Sequence, residues 1–330
     1  MAQFSASQLK TIGVMTGGGD SPGMNAAIRA VVRAGITQGL KVVGIYQGYA
    51  GILQKQIQPM ELRSVANILQ RGGTILKAGR CLEFLKAENR TLAAANLRAM
   101  NLDGLVVIGG DGSYHGAHLL WEEHHFPVVG VPGTIDNDIS GTDLTIGYDT
   151  AVNTALDAID RIRDTAASHD RLFIVEVMGR DSGHIAIEVG LAGGAEEVFI
   201  PENPVTVDEA IQHIERGLSR GKTSSILIAA EGQKPGRAYD LAEAIRKKTG
   251  HEAKVCVLGH IQRGGAPTAC DRNLASRMGA AAVQVLQGGH SDVMVCLQAG
   301  QVVMVPLEVA FKTKRPVPKE LIELAKLLAN

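Results

Sequence analysis

The chain of 330 residues has few cysteines, few aromatic residues and no excess of either charge. Its four cysteines form no C-x-x-C pair and are too sparse for a disulfide framework, which favours a reducing, cytoplasmic setting. With 33 basic and 34 acidic residues, the net charge of -1 gives no overall attraction to nucleic acid or to an anionic membrane. No apolar run approaches the roughly 18 residues that span a bilayer, and no apolar signal core opens the chain. We therefore expect a cytoplasmic protein with neither nucleic-acid nor membrane partners.

Glycine is abundant, with 39 residues, and short β-branched segments alternate with longer helical ones. This alternation predicts an α/β protein with largely parallel sheets, covered by helices on both faces. The length fits one large or two medium domains. The predicted strands are 11–15, 41–46, 104–108, 128–131, 172–177, 198–200, 225–230, 254–258 and 293–297. The predicted helices include 25–37, 91–100, 150–168, 207–218, 241–248 and 272–287.

Glycine turns that carry polar or charged residues follow several of these strands. The turn 109–113 contains Asp111, and the turn 132–138 contains Thr134, Asp136 and Asp138. In open parallel sheets, ligands bind at the carboxyl ends of the strands, where such turns lie. One carboxylate can hold a metal ion while another accepts a proton. The pairing predicts phosphoryl transfer, in which positioning and charge stabilise the transition state.

Two other motifs imitate nucleotide-binding loops. In the turn 17–23, Pro22 occupies the third glycine position of G-x-G-x-x-G, and no acidic residue ends the second strand. This turn still suits a phosphate, because backbone N–H groups and the dipole of the following helix favour anions. The segment 217–223 is one residue too short for a Walker A loop and follows a helix instead of a strand. Neither motif predicts a dehydrogenase or a P-loop protein.

Five motifs occur in an order that resembles the bacterial ATP-dependent 6-phosphofructokinase family (phosphofructokinase type A), from about Thr11 to the last helix. They are G-G-D-S-P-G-M-N at 18–25, G-G-D-G-S at 109–113, P-G-T-I-D-N-D at 132–138, M-G-R at 178–180 and G-H-I-Q-R-G-G at 259–265. The resemblance implies two doubly wound, largely parallel-sheet domains. It also implies the conversion of ATP and fructose 6-phosphate to ADP and fructose 1,6-bisphosphate, the committed step of glycolysis, with Mg²⁺.

The resemblance implies a role for each matching residue. Asp136 corresponds to the base that accepts the proton of the sugar 1-hydroxyl, and Thr134 and Arg180 correspond to residues around the transferred phosphoryl group. Asp111 corresponds to the Mg²⁺ ligand, with Asp138 near the water shell of the metal. The implied ATP site comprises Gly19, Arg80, Cys81, Gly110, Asp111, Gly112 and Ser113. The implied sugar-phosphate site comprises Thr134, Asp136, Arg171, Met178, Gly179, Arg180, Glu231, Lys254, His260 and Arg263.

The resemblance also implies a homo-oligomer, expected to be a tetramer, with an effector pocket for ADP or phosphoenolpyruvate. Its matching residues are Arg29, Arg33, Arg163, Gly194, Glu196, Arg220 and Lys222. Two positions depart from the family pattern. Lys254 stands where an arginine is usual, which retains the charge but loses the bidentate fork. Leu62 also replaces an arginine, and on an extended segment Arg63 would point to the opposite face.

The domain boundaries are expected at 1–147 plus 261–311 for nucleotide binding, and at 148–260 plus 312–330 for sugar-phosphate binding. Two alternatives remain: a pyrophosphate-dependent form of the enzyme, and a non-catalytic sensor of nucleotides or sugar phosphates. Pyrophosphate-dependent relatives typically carry Asp and Lys where this chain has Gly112 and Gly133, which favours ATP as donor. Retention of Asp111, Asp136, Asp138 and Arg180 argues against a sensor.

Overall fold

The structure is a computed structural model that describes residues 2–169, 171–221, 224–233 and 235–329. The chain divides into two compact units. The first comprises Met1–Thr134, Ile139–Asp149 and Arg263–Arg315, and the second comprises Ile135–Asp138, Thr150–Gln262 and Pro316–Asn330. The expected boundaries placed residues 135–138 with the first domain, whereas here they group with the second. A hydrogen bond of 2.8 Å from Ser182 Oγ to the Asp136 carbonyl ties this segment to the second unit.

The described elements begin and end as follows. The strands are β1 (Ala2–Gln3), β2 (Thr11–Thr16), β3 (Lys41–Ile45), β4 (Ile57–Met60), β5 (Gly104–Gly109), β6 (Val128–Pro132), β7 (Leu172–Val177), β8 (Glu197–Phe199), β9 (Ser225–Ala230), β10 (Ala253–Val257), β11 (His290–Ser291), β12 (Val293–Gln298) and β13 (Gln301–Pro306). The helices are α1 (Met24–Thr37), α2 (Tyr49–Leu53), α3 (Ala87–Ala99), α4 (Asp111–His124), α5 (Tyr148–His169), α6 (His184–Ala192), α7 (Val207–Ser219), α8 (Arg237–Thr249), α9 (Ala269–Gln287), α10 (Glu308–Lys312) and α11 (Lys319–Leu328).

The first unit contains a seven-stranded sheet in the order β13-β12-β6-β5-β2-β3-β4. Its central strands are parallel, while β13 and β4 pair antiparallel at the two edges. Successive residues of β2 enter opposite cores: Val14 packs with α1 and α9, and Met15 packs with α3 and α4. Because both faces of the strand are buried, the sequence reads as a continuous apolar run. The predicted doubly wound arrangement is confirmed for this unit.

The second unit contains a four-stranded parallel sheet in the order β10-β7-β9-β8. Its core includes Ile174, Leu227 and Phe199 from three of these strands. Glu176 is only 1% exposed, although it carries a carboxylate. That carboxylate accepts hydrogen bonds of 2.8 Å from the backbone N–H groups of Gly236 and Ala238. The buried carboxylate therefore satisfies unpaired donors at the start of α8, where Gly236 offers no side chain.

Several elements were absent from the sequence prediction, among them the edge strands β4 and β13 and the helices α4 and α6. The α4 sequence contains Gly112 and Gly116, which weaken a helical pattern. The α6 sequence is apolar almost throughout and so lacks an amphipathic period. The Walker-like segment was interpreted correctly, because α7 ends at Ser219 and β9 begins at Ser225.

None of the helices in the described part of the chain combines the length and apolar character needed to cross a membrane.

Candidate active site

Three glycine turns of the first unit lie side by side. They follow β2, β5 and β6, which are adjacent parallel strands. Thr16 at the end of β2 lies opposite Ile108, and Gly109 at the end of β5 lies opposite Pro132. The register therefore brings the turns to one edge of the sheet, as the sequence predicted for carboxyl ends of parallel strands.

Two of these turns approach each other too closely for side chains. A Cβ atom on Gly17 would lie 2.5 Å from Ser113 Oγ, and one on Gly109 would lie 2.7 Å from the same oxygen. The Gly17 N–H donates to the Ile108 carbonyl at 2.9 Å. At Gly109 the added atom would also lie 2.9 Å from the Gly17 carbonyl oxygen, so a larger residue there would push the β2 and β5 turns apart, whereas at Gly17 the Ser113 hydroxyl would have to rotate away.

The helix α4 begins in the second of these turns and starts with Asp111. The Asp111 side chain is exposed, and its Oδ1 accepts a hydrogen bond of 2.6 Å from the Gly112 N–H. A Cβ atom on Gly112 would meet no atom within 4 Å. The start of α4 therefore presents backbone donors, the positive end of a helix dipole and open space, which together suit a phosphate group.

Asp111 also fits the requirements of Mg²⁺. No group of three or more His, Cys, Asp or Glu residues in the described ranges is arranged to hold a metal ion. Mg²⁺ is commonly bound by only one or two carboxylates, with waters and substrate phosphates completing its shell. An exposed carboxylate at a helix start that suits a phosphate group fits this kind of partial site.

The remaining ATP-site candidates lie in the first unit. Arg80 is exposed, and within the described residues its guanidinium has no hydrogen-bond or ion-pair partner. Cys81 is half-buried, and burial raises the pKa of its thiol, so it is not poised as a nucleophile. Gly19 lies against Arg263, whose Nη1 donates to the Asp20 carbonyl at 2.9 Å. Arg263, matched to the sugar phosphate by resemblance, thus adjoins the first glycine turn.

Thr134 is positioned by two neighbours within the first unit. Its carbonyl accepts a hydrogen bond of 2.7 Å from Thr145 Oγ1. Its Cβ lies 3.8 Å from the position that a Cβ atom on Gly110 would occupy. Thr134 therefore lies next to the candidate phosphate-binding turn that precedes α4.

In the second unit, the Asp136 backbone is bonded to the turn that carries Arg180. Ser182 Oγ donates to the Asp136 carbonyl, and the Ser182 N–H donates to the Gly179 carbonyl at 2.9 Å. Asp136 is 9% exposed. Arg180 adopts a positive φ of 51°, and its N–H donates to Glu231 Oε1 at 3.2 Å. The structure therefore brings together the candidate base, the candidate phosphoryl-binding arginine and a buried carboxylate.

The sugar-phosphate candidates of the second unit differ in how firmly they are held. The Met178 N–H donates to Gln262 Oε1 at 2.8 Å, and Gln262 is fully buried. Arg171 and His260 are exposed, and their side chains have no bonding partner in the described part of the chain. Lys254 is also exposed and forms an ion pair of 3.4 Å with Glu252. These three side chains are free or nearly free to bind an anion.

The effector candidates are divided between the units. Arg29 and Arg33 lie on α1 in the first unit. In the second unit, Arg163 Nη2 donates to the carbonyls of Gly193 and Gly194. Glu196 and Arg220 line one crevice, which also contains residues of α7 and the end of the chain. Lys222 lies outside the described residues.

The expectation that residues 62 and 63 belong to an extended segment is wrong. Leu62–Val65 forms a 3₁₀ helix, and Leu62 is 45% exposed. Neighbouring side chains in a 3₁₀ helix lie about 120° apart, so Arg63 and Leu62 do not point in opposite directions.

Sequence reasoning missed three residues that hold the candidate site. Ser182 and Gln262 position the backbones of Asp136 and Met178. Tyr49 is buried, donates its hydroxyl proton to the Ser113 carbonyl and stacks on Phe84 at 3.9 Å. Burial raises the pKa of Tyr49, so the phenol remains a donor. Only Gln262 had a signal in the sequence, since it lies inside the 259–265 motif.

Comparison with known proteins extends over nearly the whole chain. A family model described as phosphofructokinase matches residues 11–286. The chain is 58% identical over 321 residues to ATP-dependent 6-phosphofructokinase 1 of Thermus thermophilus, covering 97% of this chain and 100% of that protein. It is 53% identical to the ATP-dependent 6-phosphofructokinase of Bacillus subtilis, over the same shares of both chains.

Solved structures agree on the fold. Phosphofructokinase from Saccharomyces cerevisiae matches with a TM-score of 0.83 and 38% identity, covering 97% of this chain and 46% of that one. A pyrophosphate-dependent phosphofructokinase from Nitrosospira multiformis matches with a TM-score of 0.84 and 20% identity, covering 98% and 92% of the two chains. At that identity the second match shows the shared fold alone. From the family model and the full-length relatives, the chain belongs to the phosphofructokinase family.

Proposed function

We propose that this protein transfers the γ-phosphoryl group of ATP to the 1-hydroxyl of fructose 6-phosphate, producing ADP and fructose 1,6-bisphosphate. The observation that carries the proposal is the alignment of three glycine turns at one edge of the sheet, with the exposed Asp111 in the middle turn at the start of α4. Full-length relatives with 58% and 53% identity are named as ATP-dependent 6-phosphofructokinases, which supports the same reaction.

In this reaction Asp136 accepts the proton of the sugar hydroxyl as its oxygen attacks phosphorus. Its hydrogen-bonded backbone supports this role, because a base must be held within reach of the proton. Arg180 and Thr134 bind the oxygens of the transferred phosphoryl group, and the guanidinium offsets the charge that develops there. Asp111 holds Mg²⁺, with Asp138 near its water shell. The metal, when bound, supplies positive charge to the donor phosphates.

The substrates are held by two sets of residues. Gly19, Arg80, Cys81, Gly110, Gly112 and Ser113 bind ATP, and the sugar phosphate is bound by Arg171, Met178, Gly179, Glu231, Lys254, His260 and Arg263. The free guanidinium of Arg171 supports its role, since arginine forms paired, charge-assisted hydrogen bonds with a phosphate dianion. Lys254 supplies charge without a bidentate fork, which lowers geometric selectivity for the phosphate.

ATP is the donor in this proposal because Gly112 leaves open space beside the phosphate-binding helix start. An aspartate there would place a negative charge and extra atoms next to the nucleotide phosphates. The identity to ATP-dependent relatives supports the same choice.

Regulation and assembly form a second part of the proposal. Glu196 and Arg220, which line one crevice, are joined by Arg29, Arg33, Arg163, Gly194 and Lys222 in binding a phosphorylated effector such as ADP or phosphoenolpyruvate. The protein assembles as a homotetramer in the cytoplasm. With Leu62 in place of arginine, one charge-assisted contact is lost unless Arg63, its neighbour on the 3₁₀ helix, supplies it, and this loss weakens effector binding by about ten- to a hundredfold. Effector titrations at subsaturating fructose 6-phosphate test this: Leu62→Arg should strengthen the response, and an unchanged response excludes Leu62 from the pocket.

The reaction is tested with purified protein, fructose 6-phosphate and Mg²⁺, using ATP or pyrophosphate as donor. Fructose 1,6-bisphosphate is expected to form with ATP as donor and not with pyrophosphate. Efficient turnover with pyrophosphate would support the alternative donor. Binding of both substrates without turnover would indicate a sensor.

A further inference from the structure

Two buried polar side chains of the first unit have no place in the proposed reaction. Thr16 is the last residue of β2, and Asn25 is the second residue of α1; they are 0% and 1% exposed. They flank the glycine turn 17–23. Both side chains bind the same distant segment, residues 71–77, which we name the anchored turn.

Thr16 bonds to the second half of the anchored turn. Its Oγ1 donates to the Lys77 carbonyl at 2.8 Å and lies 3.0 Å from Thr74 Oγ1. A hydroxyl has a single proton, so Thr74 must be the donor in the second contact. Thr16 Oγ1 thus acts as donor and acceptor at once, and valine would remove both bonds while keeping the same shape.

Asn25 bonds to the first half of the anchored turn. Its Nδ2 donates to the carbonyls of Arg71 and Gly72 at 3.0 and 3.3 Å. Its Oδ1 accepts from the Ile75 N–H at 2.8 Å. One buried amide therefore satisfies three backbone groups that have no strand or helix to pair with, at a sequence separation of about fifty residues.

The chain leaves these anchors immediately before Arg80. Within the described residues, the backbone of residues 78–80 forms no hydrogen bond. The next bond is the one from the Phe84 N–H to the Cys81 carbonyl, at 3.2 Å. Gly79 meets no neighbouring atom at its Cβ position, and Arg80 is exposed. We name residues 78–80 the arm. Because the arm forms no backbone hydrogen bond of its own, its direction is set where it leaves the Lys77 carbonyl.

We propose that Thr16 and Asn25 are positioning residues that fix the base of this arm and so place Arg80 at the nucleotide. The inference rests on the proposed function, in which Arg80 binds ATP. Because Thr16 and Asn25 also begin and end the strand–turn–helix connection around residues 17–23, they tie the arginine to the glycine turn. Movement of an aligned group by about 1 Å can lower rates up to a hundredfold, so small shifts of the arm are measurable.

The test compares Thr16→Val with Thr16→Ser, which retains the hydroxyl. The KM for ATP should rise about tenfold in Thr16→Val and remain within about twofold of wild type in Thr16→Ser. The KM for fructose 6-phosphate should change little in either variant. Equal ATP KM values in wild type and Thr16→Val would overturn the inference.

A double-mutant cycle with Arg80→Gln distinguishes positioning from general loosening of the fold. If Thr16 acts through Arg80, Thr16→Val should add little to the ATP KM of Arg80→Gln. Multiplicative effects of the two changes would overturn the inference, because Thr16 would then act by another route. Arg80→Gln with a normal ATP KM would overturn it as well, while leaving the proposed reaction intact.

Thr74→Ala provides a second variant if Thr16→Val does not fold, because Thr74 is half-buried and belongs to the turn itself. The inference is supported if Thr74→Ala raises the ATP KM a few-fold in the wild-type background but not in the Arg80→Gln background. It is contradicted if Thr74→Ala leaves the ATP KM of the wild-type background unchanged. If the protein transfers no phosphoryl group from ATP, the proposed function fails. Calorimetric titration with Mg-ATP then still decides the positioning role, since equal affinity in wild type and Thr16→Val refutes it.

Discussion

The two units hold their candidate catalytic residues in different ways. In the first unit, glycines shape the candidate site: Gly17 and Gly109 allow their turns to approach Ser113 closely, and Gly112 faces open space. In the second unit, buried side chains hold the candidate site: Ser182 and Gln262 form hydrogen bonds with the backbones of Asp136 and Met178. Added atoms should therefore damage the first site by intruding on ligand space, whereas removed atoms should damage the second by loosening it.

The largest expected effect is that of Asp136→Asn in the second unit. The amide keeps the shape of the side chain and its backbone contact with Ser182, but it cannot accept the proton of the sugar hydroxyl. Turnover should fall roughly 10²–10⁴-fold, with substrate binding largely retained. Steady-state kinetics of the variant measure this.

Asp157→Asn is a matched control, because Asp157 is an exposed residue of α5 that pairs with Arg161 at 3.0 Å, and neither residue is a candidate for the active site. Its turnover should equal that of wild type. Near-normal turnover of Asp136→Asn would show that another group is the base.

Gly112→Asp tests the first unit by adding atoms. The new side chain meets no protein atom at its Cβ, so the fold should be retained. Its charge would lie near the ATP phosphates, and juxtaposed like charges cost several kcal/mol, so the ATP KM should rise by roughly a hundredfold. Kinetics and a thermal melt together separate loss of binding from loss of folding.

Gly112→Ala separates size from charge at the same position. It should raise the ATP KM much less than aspartate does. Equal losses in both variants would show that the helix start tolerates no side chain at all, and a normal ATP KM in Gly112→Asp would place the nucleotide elsewhere.

Ser182→Ala tests the second unit by removing atoms. It deletes the bond to the Asp136 carbonyl, and a neutral hydrogen bond contributes about 1 kcal/mol. Turnover should fall about fivefold to tenfold, with a smaller change in the ATP KM. Ser182→Thr retains the hydroxyl and should restore part of the rate. Full activity of Ser182→Ala would remove the contrast between the units.

The smallest effect on activity is expected for Glu123→Gln in the first unit. Arg90 forms a bidentate pair with Glu123, with a shortest distance of 2.6 Å, and this bond lowers the pKa of the Glu123 carboxyl. A lowered folded pKa stabilises the protein above the unfolded value, near 4.5, and this contribution is lost as pH falls through the folded value. Wild type should therefore lose more stability than Glu123→Gln between about pH 5 and 3.

Denaturant unfolding at pH 7 and pH 4 measures that difference. At pH 7 the variant should be less stable by about 1–3 kcal/mol, since the buried Arg90 keeps its charge without a charged partner. An identical pH dependence in both proteins would show that the pair contributes nothing.

The sequence predicted the parallel sheets and the glycine turns because these depend on local pattern. The apolar runs of β2 and β5 and the turns after them are read directly from the residues. The edge strand β4 was missed because its sequence, I-Q-P-M, contains a proline and only two other apolar side chains. The helix α6 was missed because most of its residues are buried, so its sequence carries little amphipathic signal.

The supporting contacts could not be predicted for a different reason. Ser182 bonds to a carbonyl 46 positions away, and Gln262 bonds to an N–H 84 positions away. Nothing in a serine or a glutamine specifies such a partner, because the pairing exists only once the strands of the second unit are ordered. Candidate reacting groups were therefore accessible from motifs, while the residues that hold them required the structure.

Gly133 has a consequence for which larger residues the donor loop can accept. A Cβ atom there would lie 3.1 Å from Ile108 Cγ2 and 3.2 Å from Met24 Cε, two residues of the interior. A lysine at this position, as expected for pyrophosphate-dependent relatives, would require the side chain of Met24 or Ile108 to move by a few tenths of an ångström. A residue that suits another donor would therefore also have to be accommodated by side chains of the hydrophobic interior. The residue that position 133 can hold is in that sense linked to the packing beneath the site as well as to the surface that faces the donor.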